Sequence, residues 1–145
     1  MPNHTILFDD LMTQTAMTYP ETYARDIKGS EIKLILEDVA DNLFNEDPFL
    51  QQGGDMVRTG GISYKIDPKA KIGSRITNIV LSKTGEKLDA NKSYKVAGWS
   101  TVGAQSEGEP IWETVETYLK NMKHISKIKI DTPDIVGVKG NPGII

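Results

Sequence analysis

Ser30-Glu31-Ile32-Lys33-Leu34-Ile35-Leu36-Glu37-Asp38-Val39-Ala40-Asp41-Asn42-Leu43-Phe44 is the stretch on which the fold turns. Ile32, Ile35, Leu36, Val39, Ala40 and Leu43 recur at three- and four-residue spacing, which predicts an amphipathic helix of about three to four turns. Ser30 stands where an N-cap acceptor is wanted, just after Gly29. A helix with one apolar stripe needs an opposing layer, and the residues downstream read as a sheet. Met56-Val57-Arg58-Thr59, Ile62-Ser63-Tyr64-Lys65-Ile66 and Ile76-Thr77-Asn78-Ile79-Val80-Leu81 are strand-like, with Ile62, Tyr64 and Ile66 alternating. Thr84-Gly85-Glu86 can close a hairpin. Tyr94-Lys95-Val96-Ala97 is a further short strand.

Working outward, residues 45–54 carry Pro48 and two glycines and read as a loop. Phe8 to Met12 reads as one or two helical turns. Residues 16–28 favour extended structure, because Pro20 forbids an interior helix there and Thr and Tyr suit strands. Residues 98–109 form a glycine-rich loop containing Trp99. Pro110 suits the first turn of a second helix, on which Ile111, Trp112, Val115, Leu119 and Met122 share a face. Lys127 to Ile130 is a candidate last strand, and the Pro- and Gly-rich tail reads as irregular. The expectation is a mixed α/β (α+β) fold in one domain, residues 1–145, with two main helices on a sheet of about five strands.

Composition narrows the chemistry. The chain has 145 residues, a formal net charge of −3 and no cysteine. A thiolate nucleophile, a Cys-ligated zinc and an iron–sulfur cluster are therefore excluded. Without a basic block, bulk attraction to nucleic acid is disfavoured. No apolar run approaches the ~20 residues of a membrane span, and Met1 to Thr5 lacks the pattern of a signal peptide. His4 and His124 are the two histidines, without HxH or HExxH spacing, so a metal site is not expected, although Asp9 and Asp10 lie near His4. Walker A, GxSxG and Cys–His patterns are absent from the sequence, and no catalytic residue is assigned.

What remains is a set of aromatics in polar company. Tyr19 and Tyr23 flank Pro20 and Glu21, and Trp99 sits among glycines. Packing on the edge of the core is the reading preferred for Tyr23. For Tyr19 and Trp99, stacking on a ligand competes with it. Arg58, two residues before a Gly-Gly pair, is either a strand-end charge or an anion-binding residue.

Taken in order, these residues resemble the C-terminal domain of the 5'-nucleotidase superfamily. Thr5 to Leu11 is similar to its "T-I-T-W-E-N-L" segment, Tyr19 to Tyr23 to "F-G-G-T-F", and Ile27-Lys28-Gly29 to "L-K-G". Residues 55–62 resemble "F-L-Q-V-G-G-I", residues 72–76 "P-G-D-R-V", and Tyr94-Lys95-Val96 "Y-K-V". Within the superfamily, residues 17–23, 36–44 and 51–58, with Ala97-Gly98-Trp99 and Gly108 to Trp112, resemble the Sox thiosulfohydrolase branch.

That resemblance implies the substrate-binding half of a two-domain hydrolase in the periplasm. The expected partners are an N-terminal metallophosphoesterase domain, which would hold two manganese ions, and a sulfur-carrier protein whose tail bears a cysteine S-thiosulfonate. No cofactor is expected in this chain, and neither nucleic acid nor membrane among its partners. Substrate-binding roles fall to Tyr19, Arg58, Trp99 and Glu109. A nucleotidase would place two phenylalanines and a "G-G-D-G-F" motif here. This chain has Tyr19, Trp99 and Glu107-Gly108-Glu109-Pro110-Ile111, which disfavours a nucleotide. A 5'-nucleotidase with altered base contacts, and a stand-alone binding module without catalysis, are the alternatives.

Overall fold

The computed structural model describes residues 4–99, 108–125 and 130–138. Among them are three α-helices and five strands: α1 (Phe8–Thr15), β1 (Thr22–Lys28), α2 (Gly29–Phe44), β2 (Ile62–Ile66), β3 (Ile76–Leu81), β4 (Ser93–Trp99), α3 (Ile111–Met122) and β5 (Asp134–Ile135). This is the mixed α/β class expected. The strands form two sheets, β1–β4 and β3–β2–β5, where one had been expected. Contacts divide the chain into two compact units, one of residues 1–26 and 95–128, the other of residues 27–94 and 129–145. No helix among the described residues is long and apolar enough to cross a membrane.

In the second unit α2 lays its apolar stripe on the three-stranded sheet. Leu36, Ala40, Tyr64, Ile66, Ile76 and Ile79 form the buried cluster, with Ile32, Phe44, Met56 and Leu88 packed around it. β2 and β3 are antiparallel, with Ile66 opposite Ile76 and an irregularity between Ser63 and Lys65. β5 runs parallel to β2, Ile135 beside Ile66. Burial pushes the Tyr64 phenol above its usual 10.0.

The start of α2 departs from the expected side-chain cap. The Gly29 and Ser30 N–H groups donate to the carbonyls of Lys92 and Ala90, both at 3.0 Å, so backbone serves where Ser30 was expected to. A Cβ on Gly29 would lie 2.1 Å from the Asp89 carbonyl oxygen, so this approach requires glycine.

One turn of α2 also carries charge into the interior. Glu37, 2% exposed, accepts the N–H groups of Gly73 (2.8 Å), Arg75 (3.2 Å) and Ile76 (2.9 Å). Arg75, 3% exposed, pairs with Asp41 and donates to the Phe44 carbonyl at 3.0 Å. The Arg75 hydrogen bond, helped by one from Asn45, holds the Asp41 carboxyl below its usual 3.8.

Several expectations are corrected. Met56 to Thr59 forms no strand: Met56 reaches the core cluster, but the backbone finds no ladder partner. The Thr84–Glu86 turn closes, with Leu81 N–H donating to the Glu86 carbonyl at 2.8 Å, yet the returning arm makes only the Val80–Lys87 bridge. β4 pairs instead with β1. The expected strand at Lys127 to Ile130 lies, but for Ile130, outside the described residues. Ile130 has no regular structure, and β5 falls in the tail that was expected to be irregular.

Candidate functional site

In the first unit, α1 packs against α3. The α1 entry is tied by Asp10, whose carboxylate accepts the Leu7 N–H at 2.9 Å. A cleft of about 830 Å³ lies along these helices, lined by His4, Ile6, Phe8, Leu119, Lys123 and His124 among others. None of Tyr19, Arg58, Trp99 or Glu109 lines it. Although both histidines do, no three His, Asp or Glu side chains among the described residues gather in a way that could hold a metal ion.

Two of the four residues singled out by sequence, Trp99 and Glu109, are set on either side of β1 in this unit through strand register. Lys95 Nζ meets Asp26 Oδ1 at 3.1 Å, and Gly98 lies against the Tyr23 ring. From one contact to the other, β1 and β4 each move three residues in opposite senses. The strands are therefore antiparallel, and one further step sets Thr22 across from Trp99.

The other edge of β1 is also occupied. Thr22 donates to the Glu109 carbonyl from both its N–H (3.0 Å) and its hydroxyl (2.7 Å). The Ile111 N–H donates to the Pro20 carbonyl at 2.8 Å, and Glu21 bridges Pro110 in the antiparallel sense. A Cβ on Gly108 would fall 1.8 Å from the Thr22 carbonyl oxygen, so glycine permits this close seat.

The result is a row across three extended segments: Trp99, Thr22, Glu109. Directly opposed residues in antiparallel strands share a face, and neighbouring strands lie about 4.8 Å apart. The backbones at Trp99 and Glu109 thus stand roughly 10 Å apart with Thr22 between them. Trp99 is 51% exposed, Glu109 is exposed and Thr22 half-buried. An aromatic ring, a threonine and a carboxylate are thereby set in line on one face of the paired strands. Tyr19, 46% exposed, precedes the last paired residue, Pro20, in a bend.

Arg58 has no place in this row. It belongs to the second unit, on the irregular stretch 51–59, exposed and without a carboxylate partner among the described residues. Tyr23 packs against Gly98 with the Arg25 guanidinium over its ring, and is not among the residues of the buried cluster. Sequence reasoning missed Thr22, whose place follows only from pairing on both edges of β1. The Gly-Trp dipeptide was the available hint that something lies close to residue 98.

Comparison with known proteins bears on this arrangement. The family described as 5'-nucleotidase, C-terminal domain, matches residues 3–117. No curated protein sequence matches the chain. Among solved structures, the sulfate thiohydrolase SoxB of Thermus thermophilus, in complex with glycerol, is 33% identical with a TM-score of 0.78, over 96% of this chain and 27% of that one. A 5'-nucleotidase precursor, also of Thermus thermophilus, is 18% identical at a TM-score of 0.65, over 92% of this chain and 28% of its own. The NAD nucleotidase of Haemophilus influenzae is 18% identical at 0.66, over 90% and 26%. The chain thus spans about a quarter of the length of each of these proteins. With four-fifths of its residues inside the matched family and the same fold in those three structures, the chain belongs to the 5'-nucleotidase C-terminal domain family.

Proposed function

We propose that the whole chain acts as the substrate-binding C-terminal domain of a two-domain, metal-dependent thiosulfohydrolase that cleaves a terminal sulfonate from a cysteine S-thiosulfonate on a carrier protein. The observation that carries this reading is the contrast in identity. It reaches 33% over 96% of the chain with SoxB, against 18% with either nucleotidase. The row supports it, because a tryptophan in line with a carboxylate across a threonine replaces the paired phenylalanines expected of a nucleotide site.

On this reading Trp99 and Tyr19 flank an extended carrier tail, and Glu109 accepts from a backbone amide of that tail. Arg58, in the other unit, is a separate anion-binding residue, its planar fork offering two parallel donors that Lys does not reproduce. The metals, two manganese ions or similar, belong to an N-terminal metallophosphoesterase domain outside this chain. The location that fits such a carrier is the periplasm.

The test is a paired assay on the polypeptide that joins this chain to such a domain, loaded with manganese. A synthetic peptide bearing cysteine S-thiosulfonate is expected to release sulfate, with AMP left intact. Turnover of AMP with the thiosulfonate untouched would establish the nucleotidase alternative. Binding of the peptide with turnover of neither would leave a binding module.

A further inference from the structure

The Trp99 face of β4 has a counterpart behind it. Tyr23 lies on the opposite face of β1, next to Gly98, and its ring occupies the space that a side chain at 98 would fill. A Cβ there would meet the Tyr23 hydroxyl oxygen at 2.9 Å and two ring carbons at 3.0 and 3.2 Å. The ring is covered from its own strand: the Arg25 guanidinium, two residues on and on the same face, lies 5.3 Å from the ring centroid.

Glycine brings no side-chain anchor of its own and retains the most backbone freedom of any residue. At the end of β4 the Tyr23 ring supplies that missing anchor, one residue before Trp99. We propose that Tyr23 is a positioning residue: pressed against the Gly98 backbone and backed by Arg25, it fixes the height and direction of Trp99 over Thr22, and so the spacing between Trp99 and Glu109. A bound tail would touch Trp99 and not Tyr23. This rests on the reading of Trp99 given under Proposed function only for its consequence in binding, not for the placement itself.

The experiment uses the 145-residue chain with Trp112→Phe, so that Trp99 is its single tryptophan. Acrylamide quenching of Trp99 fluorescence and its anisotropy report placement without any ligand. Titration with a cysteine S-thiosulfonate peptide reports binding. Tyr23→Ala is expected to raise the quenching constant, lower the anisotropy and weaken peptide affinity by roughly tenfold, the size of effect that follows loss of a pre-ordered contact. Tyr23→Phe keeps the ring and is expected to restore all three. Gly98→Ala, which displaces the ring instead of deleting it, is expected to reproduce the Tyr23→Ala changes. A purely structural role would lower thermal stability in Tyr23→Ala while Trp99 in the folded protein kept its quenching and anisotropy, and that result overturns the proposal. Should the quenching shift appear while the peptide binds no variant, including the Trp112→Phe parent, the placement of Trp99 stands and the thiosulfonate reading of the row falls.

Discussion

A half-exposed indole at the end of a strand contributes little to the core, and this gives Trp99 a clear expectation. Trp99→Ala should weaken binding of the carrier-type peptide while lowering unfolding free energy by about 1 kcal/mol or less, the range of substitutions outside the core. Parallel melting curves and binding titrations check both halves, and a collapse in stability would mark the ring as a core residue. Trp99 was legible as unusual from its neighbours alone, and so was Tyr19. Thr22 was not. Its two donors to Glu109 belong to a contact between residues 87 apart in sequence, and nothing local distinguishes it from other strand threonines.

Individual elements were legible wherever periodicity reports burial. α2 runs over Gly29–Phe44, where three- and four-residue spacing placed it, β2 follows the alternation of Ile62, Tyr64 and Ile66, and β3 forms over the strand-like run Ile76–Leu81. Pairing was less legible, because a ladder depends on what the other strand offers. Met56 to Thr59 has strand-like side chains and no partner, whereas Asp134–Ile135 has little strand character and pairs with β2. The elements also hold concealed chemistry. Glu37 accepts three backbone N–H groups from residues 73–76, so Glu37→Ala would leave buried donors unmet. It is expected to lower stability by about 3 kcal/mol, with Glu37→Gln costing less, read from urea midpoints at constant slope. In the first unit, Gly108→Ala sets a methyl against the Thr22 carbonyl. It is expected to loosen the Thr22–Glu109 bonds and weaken peptide binding, which amide exchange at Thr22 would show directly.

Across the whole molecule, the buried apolar side chains are unevenly shared. Of those described, Leu11 lies in the first unit, while Ile27, Leu36, Ala40, Tyr64, Ile66, Ile76 and Ile79 lie in the second. Slow hydrogen exchange is therefore expected to concentrate in α2, β2 and β3, and fast exchange in α1 and α3, since local stability follows buried apolar contact. The response to pH has two limits. Asp41 has a depressed folded pKa, so its contribution is complete above the usual 3.8 and is lost as pH falls below it. Tyr64 has a raised one, so its contribution is complete below 10.0 and is lost as pH climbs beyond it. Asp41→Asn should flatten the acid side of the stability profile and Tyr64→Phe the alkaline side, each measured by denaturant unfolding across pH.

The antiparallel match of β1 with β4 also constrains how this domain can vary among its relatives. Most of the second unit, residues 29–92, is inserted between those two strands in the chain, so its turns can lengthen or shorten without disturbing their pairing. Within either strand the tolerance vanishes. Adding or deleting a single residue reverses which face every later side chain occupies, exchanging the positions of Gly98 and Trp99 relative to Tyr23 and Thr22. Length differences among such domains should therefore collect at hairpins such as Thr84–Glu86, and within β1 and β4 they should come in twos or not at all.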